Sequence, residues 1–400
     1  MNASNLRSLI VAVGLGFAST GANVIAEDAP AGFDGKSNGV ASTEEFFQGK
    51  LNFETSHTRS AGLGPVYNAL SCVDCHQNPT TGGNSEVNVL RAGTFDGHRF
   101  RAPPDGSLIH ERAVDARIQP RAADSWNVRS LRLSMSTLGD GFVEAIEDDT
   151  LREIAARQIH ESGGEVKGHT VMAPVLEAPG TKRIGRFGWK DQHASLLSFN
   201  AEAYRDEIGV TSELAPTEST SNGRSVAAYD PLPDPENRRF FVESLTVFNR
   251  STKVPPRDLE LANTAEALAG EKLFASIGCG ICHVATIETA PTGTPINGGT
   301  FIVPAALGGK TIHPYGDYLL HDIGTGDGIV QTGGQETRNK IRTAPLWGLR
   351  TRIRLLHDGS VLTPREAIAR HGGESGRVTT RFDGLSAAQQ RQLIAFLRSL

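Results

Sequence analysis

Cysteine and methionine are the scarce residues of this chain: its 400 positions hold four of the one and three of the other. All four cysteines fall in two five-residue units, Cys72-Val73-Asp74-Cys75-His76 and Cys279-Gly280-Ile281-Cys282-His283, which leaves none for a disulfide framework elsewhere. Beyond Met1 the methionines are Met135 and Met172, both ahead of the second unit, so the carboxy-terminal part has no thioether to offer a metal. No segment approaches the ~20 consecutive apolar residues of a membrane-spanning helix. A formal net charge of −5 with both signs interspersed gives no reason to propose nucleic acid as a partner. No internal repeat is visible apart from the two cysteine units.

Those units carry the chemistry. In Cys-x-x-Cys-His each cysteine pair forms thioethers to one haem, and the adjacent histidine ligates its iron from the proximal side. A dithiol switch, half of a zinc site or a disulfide within each pair would account for the cysteines, but none requires the histidine that follows, and it follows twice. Two covalently bound haem c groups are therefore expected, attached at Cys72, Cys75, Cys279 and Cys282, with His76 and His283 as proximal ligands. Arg7, an apolar run over residues 9–18 and Val24-Ile25-Ala26 before Glu27 read as an export signal over residues 1–26. The expected location is the periplasm.

What remains is longer than one core usually organises. Glycine and proline, 44 and 20 residues, suit a mainly α protein with long irregular loops wrapped around large cofactors. The segment 213–236 is poor in large apolar residues and reads as an exposed loop or linker. Helical spacing at Phe240, Phe241, Leu245 and Phe248 stops before Pro255-Pro256, which sets an expected boundary between a haem domain over 27–254 and a second over 255–400. In the second, Ala265, Leu268, Leu273 and Phe274 form a stripe leading into Cys279. Ser386 to Gln389 is a capping box, followed by Leu393, Ile394, Leu397 and Leu400 on one helical face. A helix into the haem motif and a helix at the end are how small cytochromes c are built.

Read together, GLGPVYNALSCVDCH (62–76), LGDGFVEAI (138–146), GRFGWK (185–190), DEIGVTS (206–212), RTAPLWGL (342–349), LLHDGS (355–360) and AIARHGGE (367–374) resemble the dihaem oxidoreductase family, relatives of bacterial dihaem cytochrome c peroxidases and MauG-type enzymes. The resemblance implies two cytochrome c-like haem domains, electrons entering at the carboxy-terminal haem from a small donor protein (a cytochrome c or a cupredoxin), and hydrogen peroxide reduced at the amino-terminal one. It also implies a structural calcium ion. A dihaem electron carrier without peroxidase activity and a MauG-like oxidase of another substrate are the rival readings.

His371, after a helix announced by Thr363-Pro364-Arg365-Glu366, stands where similar enzymes place the sixth ligand of the second haem. Its plainer reading is a surface histidine favoured at a helix end. His357 and His321 read as residues holding loops near a haem rather than as ligands. For the first haem the distal position is open between His98, His110 and no ligand. Glu207 resembles the family's catalytic glutamate, and Trp189 the aromatic residue between the haems. Trp189 is followed by Lys190-Asp191-Gln192 rather than Asp-Gly-Arg, which keeps Glu144 as a rival carboxylate. A solvated glutamate and a core tryptophan are the ordinary alternatives.

Overall fold

The structure, a computed structural model, describes residues 26–237 and 239–400. The export segment expected over residues 1–26 lies, but for Ala26, outside them. Each cysteine unit is framed by two crossing helices. Before the first unit runs Thr43–Glu54, opened by a reciprocal Ser42–Glu45 capping box, and the apolar spacing around Phe241 becomes Arg239–Ser251, which packs across it. In the second half Ala265–Ile277, capped by the Thr264 side chain, is crossed by Ala387–Ser399, capped by the expected Ser386–Gln389 box.

Both crossings are made at a glycine. A Cβ on Gly49 would lie 2.7 Å from the Ser244 carbonyl oxygen, and one on Gly270 would lie 2.0 Å from that of Gln392. Only hydrogen fits where one helix backbone meets the other. Leu268, expected in the buried stripe, is accordingly 47% exposed. The face turned inward is the smaller one of Ala267 and Gly270, continued by Phe274 and Ile277.

The expectation of a mainly α protein is overturned: 34% of the chain is helix and 15% strand, a mixed α/β fold. The Gly- and Pro-rich region after the first cysteine unit forms an antiparallel sheet, with Asn88–Phe95 paired to Phe100–Arg101, Leu108–Ile109 and Val128–Leu133. Burial along Asn88–Phe95 does not alternate, so the period-two signal that announces a half-buried strand is missing. Many other strands have two or three residues, such as Glu27–Asp28, which runs parallel to Lys310–Ile312. Segments that short carry no periodicity.

One apolar cluster surrounds each cysteine unit. Phe46, Phe53, Val242, Leu245 and Phe248 pack at the first, and Phe274, Tyr315, Phe382, Leu393 and Phe396 at the second. A third cluster draws on both sides of residue 255, joining Phe142, Ile146 and Phe187 to Leu307, Tyr318 and Trp347. The segment 213–236 is irregular as expected, yet it is no free linker, because Ala215, Ser219, Ser221 and Val226 are buried in the body.

Candidate functional site

At the second unit Gly278 takes a left-handed conformation that ends the helix Ala265–Ile277. The chain then closes one tight turn, Cys279–Ile281, with His283 N donating to the Cys279 carbonyl at 2.9 Å. The first unit repeats this: Cys72–Asp74 forms the turn and His76 N donates to the Cys72 carbonyl at 3.0 Å. In both, the ring Nδ1 has a backbone carbonyl as partner, Tyr315 at 2.9 Å for His283 and Gly83 at 3.3 Å for His76. A carbonyl only accepts, so Nδ1 carries the proton and Nε2 keeps its lone pair for a metal. Burial, then the neighbouring His371, holds the pKa of His283 down at about 4, so the imidazole is neutral.

Haem requires a large apolar slot with thiols along one edge and a neutral imidazole beside them. The second unit meets each requirement. Cys279, Cys282 and His283 line a cavity with about 1610 Å³ of empty space, part of it open to solvent. Its walls are mainly apolar, with Phe274, Leu346, Leu349, Leu355 and Ile368 among them. Burial pushes the thiols of Cys72, Cys75 and Cys279 up to about 12, so they rest as neutral thiols. His371 lines the same cavity, at the end of Pro364–Ala369, a helix with the expected Thr363–Glu366 capping box and proline in its first turn. Its Nδ1 donates to the Ala367 carbonyl at 2.7 Å.

The two other histidines near this cavity have different work. His321 is buried with Nε2 on Asp317 at 2.8 Å and Nδ1 on Glu374 at 2.9 Å. Burial would discharge it, but Asp317 holds its pKa well above the usual value. With both nitrogens donating, it has no lone pair for iron. His357 packs its ring edge-on to Trp189 at 6.2 Å. Trp189 lines the cavity too, its indole N–H on the Leu133 carbonyl at 2.7 Å.

Around the first unit, Glu207 sits in a π-helical turn, Tyr204–Ile208, a local form that often marks functional positions. Its Oε2 accepts from Asn68 Nδ2 at 2.6 Å. Burial raises its pKa, against the Asn68 hydrogen bond and the Arg91 charge, and its own charge is felt by both Cys72 and Cys75. Glu207 faces a polar chamber of about 670 Å³, partly open to solvent, shared with Arg91, His193, Glu202 and Asp206. His193 Nδ1 lies 3.4 Å from Glu202 there. These residues went unrecognised in the sequence because they sit on separate segments that only the fold assembles, and no local spacing announces them.

The remaining candidates separate clearly. His98 is exposed in the turn between two strands, its backbone N–H on Asp96. His110 is buried one residue from Glu207, with Nε2 donating to the Asp206 carbonyl at 2.8 Å. Glu144 is fully buried and both its oxygens are taken, by Arg250 Nε at 2.6 Å and Nη2 at 2.9 Å, Leu196 N at 2.8 Å and Asn297 Nδ2 at 2.9 Å. Burial would raise its pKa, but Arg250 and these donors hold it low. Three further carboxylates, Glu218, Asp234 and Glu236, converge within 4.8 Å in the segment 213–236. That acidic cluster does not by itself identify the expected calcium ion.

No curated protein matches the chain. Among solved structures, a MauG-like protein associated with microbial copper homeostasis is 15% identical over 94% of this chain and 93% of its own, with a TM-score of 0.42. Hydrazine synthase of Kuenenia stuttgartiensis is 14% identical over 99% of this chain and 100% of its own, with a TM-score of 0.41. The family model described as "di-haem oxidoreductase, putative peroxidase" matches residues 113–400, which includes the second cysteine unit and stops short of the first. With most of its length matched, the chain belongs to the di-haem oxidoreductase family and is a haem oxidoreductase.

Proposed function

We propose that the protein is an exported, periplasmic c-type enzyme that reduces hydrogen peroxide to water with electrons from a small donor protein, a cytochrome c or a cupredoxin. The observation that carries this reading is the Glu207 carboxyl, half-buried beside the first cysteine unit, its pKa raised by desolvation, and open to a polar chamber. Haem bound at each unit supplies one-electron redox chemistry at iron. In the reading, Cys72, Cys75, Cys279 and Cys282 would hold the haems through thioethers, His76 and His283 would ligate their irons, and His371 would be a further ligand at the second.

Peroxide reduction consumes two electrons and two protons and yields two waters. That reaction would need a protein group able to take a proton from the peroxide and return it to the oxygen that leaves as water. A carboxyl whose pKa is raised towards the working pH suits that task, because it both accepts and returns the proton. Asn68 fixes the orientation of Glu207 through Oε2, and the chamber with Glu202 and His193 gives protons a polar route from solvent. Trp189, which meets His357 edge-on and donates its indole N–H to the Leu133 carbonyl, assists electron passage in this reading. The test is to mix the purified, haem-loaded protein with hydrogen peroxide and a reduced small donor. Turnover with a high-spin ferric or half-reduced signal is expected. Two six-coordinate irons that never react with peroxide would overturn the reading in favour of an electron carrier.

A further inference from the structure

Arg352 has no carboxylate within ion-pair distance among the described residues. It lines the cavity of the second cysteine unit, and its Nη2 donates to the carbonyls of Pro345 at 2.6 Å and Trp347 at 3.3 Å. Its Nε is sealed from solvent without a partner. Among the described residues no carboxylate pairs with it. The charge that acts on it most is another cation: burial first, and then Arg342, brings its pKa down to about 10.

Arg342 lines the same cavity. It is 5% exposed. Nη1 donates to the Arg186 carbonyl at 2.6 Å and Nη2 contacts Met135 Sδ at 2.9 Å. Its Nε has no hydrogen-bond partner, and Asp191, the carboxylate it is paired with, is 3.8 Å away.

Both guanidinium groups belong to the lining of one cavity, Arg342 buried and Arg352 half-buried, and Arg342 acts on Arg352 as a like charge. Arginine does not escape by releasing its proton as lysine does. Arg342 has Asp191 at 3.8 Å, but Arg352 has no carboxylate partner among the described residues, and a desolvated cation left so is costly; the arrangement calls for an anion. The rest of the cavity is mainly apolar, which excludes a small hydrated ion as the natural filling. An apolar body with carboxylates at one edge satisfies both halves of the wall, and haem, with its two propionates, has that form.

We propose that Arg352 and Arg342 are the carboxylate clamp for the propionates of the haem attached at Cys279, Cys282 and His283. The inference rests on a haem occupying this cavity. Beyond anchoring, the clamp sets the redox poise of that haem: positive charge beside it favours the reduced state and raises its midpoint. Arg342 also ties the clamp to Trp189, whose carbonyl accepts its backbone N–H at 3.0 Å.

The experiment compares Arg352→Gln, Arg352→Lys and the parent, all full chain and haem-loaded. Haem is counted first, by intact mass and the pyridine haemochrome. Midpoint potentials then come from spectroelectrochemistry, and propionate hydrogen bonding from resonance Raman. Arg352→Gln is expected to lower the second haem's midpoint and shift its propionate bending mode, leaving the first haem unchanged. Arg352→Lys should keep most of the potential and lose the bidentate signature. Where Arg352→Gln fails to load haem, the lysine variant provides the reading. Unchanged potential and propionate mode with both haems present would overturn the clamp. A midpoint that follows added acetate while the propionate mode stays fixed would assign the arginines to a free anion instead. A parent protein with no haem at the second unit would end the haem reading itself, an outcome the haem count separates from the other two.

Discussion

Nδ1 of His283 donates to the Tyr315 carbonyl oxygen at 2.9 Å, and Nδ1 of His371 donates to the Ala367 carbonyl at 2.7 Å. The two rings line one cavity, each with its proton fixed on the nitrogen that faces its own backbone. Each therefore has Nε2 available. Replacing His371 by Ala should convert one low-spin haem to high spin and move its potential, read by electron paramagnetic resonance and a redox titration. A low-spin spectrum and potential unchanged from the parent would remove His371 from the ligand set.

Covalent attachment is testable independently of ligation. Burial keeps the thiols neutral, and each pair sits in a one-turn geometry with its histidine. Intact mass after acid–acetone extraction should retain two haem additions. The double change Cys279→Ala and Cys282→Ala should retain one, at His76. Haem that extracts freely from the parent would refute thioether formation.

Glu207 and Glu144 should respond differently to the same change. Glu207→Gln keeps the shape and the Asn68 contact but loses the titrating proton, so peroxide turnover should fall by about 10²-fold or more with both haems bound. Glu144→Gln breaks a buried ion pair with Arg250 and should cost about 3–5 kcal/mol of stability while the folded fraction keeps its turnover. Stopped-flow turnover and denaturant melts decide. Equal turnover in Glu207→Gln and the parent would shift the acid–base role elsewhere.

The chemistry was more legible in the sequence than the fold was. Cys-x-x-Cys-His is a local word, and its turn forms from residues adjacent in the chain, so both motifs could be read directly. Helix Ala387–Ser399 announced itself by its capping box and 3.6-residue spacing, and Ala265–Ile277 by spacing alone. The sheet around Asn88–Phe95 did not, because its burial pattern follows what packs on it and not an alternation in the strand. Glu144 looked like a rival catalyst because nothing local shows that Arg250, 106 residues away, occupies it. The chamber of Arg91, His193, Glu202 and Glu207 is assembled from distant segments and stayed hidden for the same reason.

The glycine crossings give a stability prediction. Gly270→Ala places a methyl 2.0 Å from the Gln392 carbonyl oxygen, and the helices must separate to accept it. A loss of about 1–3 kcal/mol is expected from such overpacking, with a smaller loss for Gly49→Ala, where the nearest atom is 2.7 Å away. Urea melts of haem-matched samples measure both. An unaltered midpoint for Gly270→Ala would mean that the crossing is looser than this geometry.

Glu374 gives a pH dependence with a definite sign. Its carboxylate accepts from His321 Nδ1 at 2.9 Å, Lys167 N at 2.9 Å, Lys340 Nζ at 3.1 Å and Asp322 N at 3.1 Å. Burial would raise its pKa, but His321 and the other donors bring it down to about 2 from the usual 4.5. The folded state therefore binds this proton less readily than the unfolded state. Its contribution to stability is complete above pH 4.5 and is lost as pH falls from there towards 2. His321, with its pKa held well above the usual value, stays charged throughout this range and does not reverse the sign. Glu374→Gln should cost about 1.5–3 kcal/mol at pH 7, the scale of hydrogen bonds to a charged group, nearer the lower end because the carboxylate is only half-buried. Denaturant melts of parent and variant at pH 7 and pH 3 provide the check. The gap between them should narrow at pH 3, because the parent is then losing the same interaction by protonation. A gap equally wide at both values would show that the charge on Glu374 is not what holds the segment around His321 in place.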